Sequence, residues 1–414
     1  MSTSMPTGVK PDFSRGPLAG YRVVDASSVV AGPLAAMVLA DQGADVIKLE
    51  SPGVGDLGRQ AINEREGMAA LYLNCNRGKR SIVVDLKQPE GLEVARDLIR
   101  SADVFLANWR PGVAERLGLG EAELRELNPD IINVQVTGFG RTGPYSGHRV
   151  YDPVLQALAG YVALQENPEF PIRDLVRNVE IDKATAWTVA QSVTAALLAR
   201  ERGAGGQHVH IAMLDVALAF FWPDGMITRS LLGEGVRRKL MIADTYRVWM
   251  TQDGQIVYFT NTTEDVYNLF TALGHPEWKD EEQFSRGKVS SEASRAEIGQ
   301  RVLDGFAALS TDEVVSRLRE HGVPVAPVHE IDQVCEDPQI RHNGRVQERS
   351  HPIYGAFREV RPATDFSVTP PPDSAAAALR GEQSEAILEE IGYDAERRRD
   401  LLERKILGAP GYRI

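Results

Sequence analysis

The sequence predicts an α/β protein: a large, Rossmann-like domain with a parallel sheet, plus a smaller α+β domain. Three observations carry that prediction. Short β-branched runs alternate with helix-period runs over residues 21–213, the pattern of strand–helix–strand units buried on both sheet faces. Beyond residue 240 this alternation gives way to a hairpin signal followed by three helical segments. The length of 414 residues suits two or three domains at ~100–200 residues each.

The elements read in order as follows. Residues 21–26 form a first strand. Residues 32–42 form a helix with Pro33 in its first turn and Gly43 as its stop. Strands follow at 44–49 and 81–86, a helix at 90–100 entered through Pro89, a strand at 103–108, a helix at 121–127 and a strand at 131–136. Residues 182–202 form a long helix whose apolar stripe is Ala186, Val189, Val193, Ala196 and Leu197. It stops at the glycines 203, 205 and 206; a strand at 208–213 and a further helix from 214 come next. Residues 246–250 and 255–259 flank Asp253-Gly254, a hairpin signature. Helices follow near 266–273, 293–309 and 311–320. Residues 351–376 are proline-rich and read as an extended linker with Pro370-Pro-Pro372. Helical segments at 382–391 and 395–407 close the chain. The division expected is a large domain over 1–230, a small α+β domain over 235–340, and a return linker with the C-terminal part of the large domain over 345–414.

Composition excludes several classes. Hydrophobic residues make 43% and charged residues 25%, so the chain is globular. The net charge of −12 argues against nucleic acid as the main partner. The two cysteines, Cys75 and Cys335, exclude a disulfide scaffold and a Cys-rich zinc site, and fit a reducing cytoplasm. Residues 1–15 are polar, unlike a signal peptide. The longest apolar stretches, 29–40 and 212–222, fall short of the ~20 residues that span a bilayer, and Asp215 interrupts the second. A cytoplasmic protein with no membrane association is expected.

The chemistry-bearing patterns are individually weak. Residues 53–58 match GxGxxG after a strand, but no helix opens after them. The region ~20 residues on is basic, Asn76-Arg-Gly-Lys-Arg80, where the fingerprint needs an acid, so a flexible loop is the better reading. That basic cluster, with Arg110, Arg116, Arg141 and Arg149, reads equally as a phosphate site or as solvated arginines. His208 and His210 share a strand face but have no third ligand, so no metal site is expected. Asp182 opens the long helix. A helix cap is the commoner use of such a residue. In the same position a carboxylate, held ionised by the helix dipole and free N–H groups, can act as a nucleophile.

Taken together, the segments resemble one family. They are Asp25-Ala-Ser-Ser-Val-Val-Ala-Gly-Pro33, Gly43-Ala-Asp-Val-Ile-Lys-Leu-Glu50, residues 74–86, Asn108-Trp-Arg-Pro-Gly112 with Arg116, and Asn128-Pro129. Further along come Tyr151-Asp-Pro-Val-Leu-Gln-Ala157, Gly205-Gly-Gln207, Gly322-Val-Pro-Val-Ala-Pro-Val328, His351-Pro352 with Gly355, and Gly381-Glu-Gln-Ser384. In this order, over nearly the whole chain, they resemble the family III CoA-transferases, to which α-methylacyl-CoA racemase is related. The resemblance implies CoA transfer from an acyl-CoA donor to a carboxylic acid acceptor, through a mixed anhydride and a CoA thioester formed on an aspartate, here Asp182. It implies that Ser28, Val29, Val30, Lys48, Asn74, Arg80, Asn108, Arg116, Arg149 and Tyr151 line the CoA site. It also implies an interlocked homodimer, no permanently bound cofactor and no metal, with the CoA thioester as substrate.

Two departures bear on the reaction. The racemase branch carries a His-Asp pair where this chain has Tyr151-Asp152, and a tyrosine of pKa near ~10 is a poor base at neutral pH. This disfavours racemisation. The glycine-rich lid of the formyl-transferring members has no counterpart between 246 and 262, which disfavours formyl and oxalyl substrates. The rival readings are an acyl-CoA racemase or isomerase and a non-catalytic CoA-ester binding protein.

Overall fold

A computed structural model describes residues 12–61, 63–165, 173–237, 242–281 and 292–408. Two compact units emerge, Met1–Lys239 with Arg345–Ile414, and Leu240–Gly344.

The larger unit runs β1 (Arg22–Asp25), α1 (Ala31–Asp41), β2 (Asp45–Glu50), the short hairpin β3 (Glu64–Arg65) and β4 (Met68–Ala69), and α2 (Ala70–Asn76). There follow β5 (Lys79–Val83), α3 (Pro89–Arg100), β6 (Val104–Ala107), α4 (Val113–Arg116), α5 (Glu121–Leu127) and β7 (Ile132–Thr137). Then come α6 (Asp152–Ala159), α7 (Tyr161–Leu164), α8 (Glu180–Ala199), β8 (Gln207–Ala212) and α9 (Met213–Gly225). Six strands pair in the order β5-β2-β1-β6-β7-β8, all parallel. Counted along the sheet's own strands this is 3-2-1-4-5-6, the doubly wound order of the Rossmann fold.

Alternation along each strand divides the core between the two faces. Val23, Val46, Leu106, Ile132 and Val134 face α1 and α8, which meet them with small residues, Ala35, Ala36, Ala186 and Ala190. Val24, Ile47, Ile82 and Phe105 face α3 and α5, through Val94, Leu98, Ile99 and Leu124. Burying such side chains is worth ~1.5–3 kcal/mol each. The end of the chain completes this second face: α14 (Ser384–Glu390) and α15 (Ala395–Glu403) bury Ile387, Leu388 and Leu401 there.

The sequence places most of these elements within two residues. The strand expected at 81–86 begins at Lys79, opposite Val46, because a buried lysine opens it. The stretch read as an extended linker holds an antiparallel hairpin, β12 (Val346–His351) and β13 (Gly355–Val360). Its turn is stabilised by Tyr354, buried and stacked on His351 at 3.9 Å.

The smaller unit carries β9 (Trp249–Met250), β10 (Gln255–Tyr258), α10 (Thr263–Ala272), α11 (Glu292–Ala307), α12 (Thr311–Glu320), β11 (Val325–Pro327) and α13 (Pro338–Asn343). Its three strands are antiparallel in the order β11-β10-β9. Ile256, Leu269, Phe306, Val314 and Leu318 form its core. Thr262 and Ser310 begin α10 and α12 with reciprocal capping boxes. Among the described residues no helix is long and apolar enough to cross a membrane.

Candidate active site

In an open α/β sheet, ligands bind outside the carboxyl ends of the strands, where the strand order reverses. Here the reversal lies between β1 and β6, so the loops after Asp25 and Ala107 flank it. Two hydrogen bonds tie those loops together. The Ser28 N–H donates to Asn108 Oδ1 at 3.0 Å, and Asn108 Nδ2 donates to the Ser28 carbonyl at 2.8 Å.

The turn from β1 into α1 is strained. Val29 has φ of 77°, in the left-handed region, where a β-branched residue is an outlier. Such a conformation costs of order 1–3 kcal/mol and persists only where its surroundings enforce it. Asp56 supplies the enforcement: its Oδ1 accepts from Ser28 Oγ at 3.0 Å, the Val29 N–H at 2.9 Å and the Gly58 N–H at 2.8 Å. The helix then starts hard against the strand end, since a Cβ on Gly32 would collide with the Ser27 side chain. Val30 caps α1 without a side-chain bond, which leaves the first helical N–H groups to other acceptors.

Asp56 lies inside the GxGxxG stretch, which is therefore neither a dinucleotide fingerprint nor a floppy loop but a clamp on the 28–30 turn. Asp56 also belongs to a buried charge cluster. Lys48 Nζ lies 3.4 Å from Asp25 and 2.9 Å from Asp56. Lys79 Nζ lies 2.8 Å from Asp25 and donates to Asn76 Oδ1 at 2.6 Å. Glu50 takes both hydrogen bonds of a 2.8 Å fork from Arg59, which stacks on Tyr72. Three carboxylates face three cations, so the cluster is neutral. Burial alone pushes Asp25 up, yet the ammoniums of Lys48 and Lys79 reverse this and hold it at about 2. Burial pulls Lys79 down to about 8 despite Asp25.

This cluster corrects two expectations. Lys48 has no exposed surface and is enclosed by Asp25 and Asp56, so it reaches no phosphate. Arg80 points to the amino end of the sheet, where it pairs with Asp45 at 2.7 Å and Glu390 at 2.6 Å. Nor is the run Asn76–Arg80 a free basic loop: Arg77 is ion-paired with Asp41, and Lys79 opens β5. Lys48 is buried within a charge cluster and Arg80 is held in ion pairs at the amino end of the sheet, away from the carboxyl ends where a ligand binds.

Asp182 is the third residue of α8, not its cap. Val179 stands at the N-cap without a side-chain bond, and the capping is done from another helix. Asp152, buried at the start of α6, accepts from the Ile181 N–H at 2.7 Å and the Asp182 N–H at 3.0 Å through Oδ2, while Oδ1 accepts from Gln156 at 2.6 Å. The side chain of Asp182 is thereby released from the job its position suggests. Half-buried, it faces the backbone N–H of Ala31 at the start of α1, which favours its charged form. Its pKa moves opposite to the sequence expectation. Burial, then the charge of Asp152, raises it to about 6, and the nearby Ala31 N–H opposes them only in part. At pH 7 such a group is still about ten-to-one ionised, and more basic than an ordinary carboxylate.

The other residues expected at the site are disposed as follows. Tyr151 precedes Asp152 and is 66% exposed. Asn74 is exposed on α2, beside Cys75, whose buried thiol is pushed up to about 11 by burial and in part by the charge of Asp182. From Asn108 the chain passes into a cavity of about 460 Å³ lined by Trp109, Arg110, Arg116 and His148, among others. Arg149 follows it, exposed. His208 bonds to Asn133 (2.8 Å) and His210 to Arg141 (3.0 Å), and both ring nitrogens Nε2 lie 3.8 Å from Glu121. Among the described residues no group of three or more His, Cys, Asp or Glu side chains could hold a metal ion.

Sequence reasoning missed Asp152, Asp56 and Ala31. Asp152-Pro153 carried a helix-start signal, but capping its own helix was the only use that signal offered. That Asp152 reaches a second helix is a tertiary fact.

Comparison with known proteins points the same way. A family model for CoA-transferase family III matches residues 18–384. A succinate–glutarate CoA-transferase of Agrobacterium fabrum is 33% identical over 342 residues, 79% of this chain and 84% of that protein. The human succinyl-CoA:glutarate CoA-transferase is 30% identical over 91% of this chain and 86% of its own length. A formyl-CoA:oxalate CoA-transferase of Shigella sonnei is also 30% identical, covering 91% and 96%. Among solved structures, a CAIB/BAIF family protein from Brucella suis superimposes with a TM-score of 0.80 at 29% identity, over 91% of this chain and all of that one.

Proposed function

This chain belongs to CoA-transferase family III and transfers CoA between an acyl-CoA and a carboxylic acid; we propose that Asp182 carries the transfer covalently. The observation that carries this reading is the release of Asp182 from capping: Asp152 satisfies the α8 N–H groups, and the Asp182 carboxylate turns to the start of α1 at the switch point of the sheet.

An Asp182 oxygen attacks the carbonyl carbon of the donor thioester. The C–S bond breaks, its electron pair leaves with CoA thiolate, and a mixed anhydride remains. The thiolate attacks the aspartyl carbonyl carbon, the donor acid departs as its carboxylate, and CoA is held as an aspartyl thioester. The acceptor carboxylate repeats both steps in reverse, restoring Asp182 and releasing the new acyl-CoA. One difficult acyl exchange becomes several easier ones, with no net proton consumed. The Ala31 N–H is placed to stabilise charge that develops on the aspartyl oxygen. The site must exclude water, which would hydrolyse the anhydride.

Ser28, Val29, Val30, Asn74, Asn108, Arg116, Arg149 and Tyr151 line the CoA path in this reading. Arg116 and Arg110 offer forked donors to the phosphates, and Trp109 an aromatic edge beside them. The large domain, 1–230 with 345–414, binds CoA. The enzyme works in the cytoplasm as an interlocked homodimer. Support for an interface comes from exposed apolar side chains on α6 (Val154, Leu158), α8 (Trp187, Leu198) and α9 (Phe220, Trp222). The relatives named for succinate and glutarate make dicarboxylic acids the first pairs to try. The single glycine between 246 and 262, Gly254, supports acids other than formate and oxalate.

The test is to incubate the enzyme with a donor acyl-CoA without acceptor, trap with hydroxylamine and map the adduct by mass spectrometry. The expected adduct is a hydroxamate on Asp182, absent from Asp182→Asn, which also loses turnover. Turnover by Asp182→Asn, or an adduct on another residue, overturns the mechanism. Exchange of the α-proton with solvent deuterium, without a second acid, identifies a racemase instead.

A further inference from the structure

The helix that carries Asp182 holds three threonines below it, and they behave differently. Thr188 and Thr194 turn their hydroxyls back to the carbonyls four residues earlier, at 2.9 Å to Ala184 and 3.0 Å to Ala190. This is the ordinary resting place of a helical threonine. Thr185 does not follow it. Its side chain is wholly buried, and its Oγ1 has no hydrogen-bond partner among the described residues. A buried hydroxyl left unpaired costs free energy comparable to a lost hydrogen bond, so native proteins rarely keep one without a use.

Position says what the use is. Thr185 lies three residues after Asp182, so the two side chains share a face, with Cβ atoms about 5–6 Å apart. Each Cα–Cβ bond in a helix leans toward the N-terminus, which aims Thr185 at the turn where Asp182 sits. The apolar neighbours Ala186 and Val189 pack in the core with α1, whose first N–H already meets the Asp182 carboxylate. We propose that Thr185 is a positioning residue whose hydroxyl donates a hydrogen bond to a carboxylate oxygen of Asp182 in the working enzyme. With the Ala31 N–H it fixes the orientation of the attacking oxygen, and it holds the aspartyl oxygen when CoA thiolate attacks that carbonyl. The hydroxyl keeps its proton throughout. This inference rests on Asp182 being the nucleophile.

The experiment compares Thr185→Val, Thr185→Ser and Thr185→Ala with Asp182→Asn, in the full-length enzyme. Valine keeps the shape and removes the hydroxyl. The expected result for Thr185→Val is a melting temperature no lower than wild type, a kcat lowered about 10-fold or more, and a KM for acyl-CoA within about 2-fold of wild type. The acid limb of its kcat/KM profile moves to higher pH, because a donor to the charged form has been lost. Thr185→Ser restores kcat and the limb. If Thr185→Val fails to fold, Thr185→Ala, which also lacks the hydroxyl, decides by the same pH profile. Wild-type kcat and an unmoved limb in the hydroxyl-free variants overturn the proposal, and so does a serine variant as slow as valine. If Asp182→Asn itself turns over, the nucleophile assignment fails first; if it is dead while Thr185→Val is normal, only the role of Thr185 fails.

Discussion

Replacing Asp182 by asparagine should make the protein more stable, by an amount that depends on pH in a calculable way. In the folded state burial and the charge of Asp152 lift the Asp182 pKa from 3.8 to about 6. Between those values the folded chain binds a proton that the unfolded chain has released, so ionised Asp182 opposes folding as pH rises. The penalty is about 3 kcal/mol at pH 7.5 and about 1 kcal/mol at pH 4.5. Asparagine has nearly the same shape, still offers an oxygen to the Ala31 N–H, and carries no charge. The assay is denaturation of wild type and Asp182→Asn in parallel at the two pH values, since the pH dependence of the remaining groups cancels in the difference. The variant should be the more stable at pH 7.5 by about 1–3 kcal/mol, several degrees in Tm, and the gap should shrink at pH 4.5. A variant less stable at pH 7.5, or a gap constant with pH, refutes the claim that Asp182 is held ionised against its surroundings.

Other expectations follow from the same geometry. Asp152→Asn keeps an acceptor for the α8 N–H groups but removes the charge facing Asp182, so the acid limb of kcat/KM should move to lower pH in a stopped assay of CoA transfer. Lys48→Met leaves Asp25 and Asp56 buried with one cation fewer and should cost about 3–5 kcal/mol in urea denaturation. Arg116→Ala should leave stability within about 0.5 kcal/mol and raise the KM for acyl-CoA with a weakened salt dependence. Val29→Gly exchanges a strained φ for a permissive residue, and calorimetry should find its melting temperature unchanged or raised despite the lost side chain.

Much of the architecture is legible in local pattern. The β-branched runs, Pro33, Pro89, Gly43 and the Asp253-Gly254 hairpin signal all act within a few residues, so reading them needs no partner. The hairpin at residues 346–360 escaped because its strands are half-exposed and charged, and its stability comes from Tyr354 packing rather than from an alternating apolar face. The site divides in the same manner. Asp182 and the Asn108–Arg116 segment enter the proposed site by resemblance, while Lys48 and Arg80 are drawn into ion pairs because a cation in a sequence carries no sign of what neutralises it.

By itself the sequence determined the order of the sheet strands and the helices between most of them, and where they break, because propensity and periodicity are set by neighbours along the chain. It also placed Asp182 in the first turn of the longest described helix. Only the tertiary structure decided that Asp152 would cap that helix from elsewhere, that Asp56 would hold Val29 in a left-handed conformation, and that the carboxylate of Asp182 would be raised rather than lowered in pKa. Those outcomes depend on charges and N–H groups brought together from residues far apart in the chain, where burial strengthens every unbalanced charge and no local pattern records who the neighbours are.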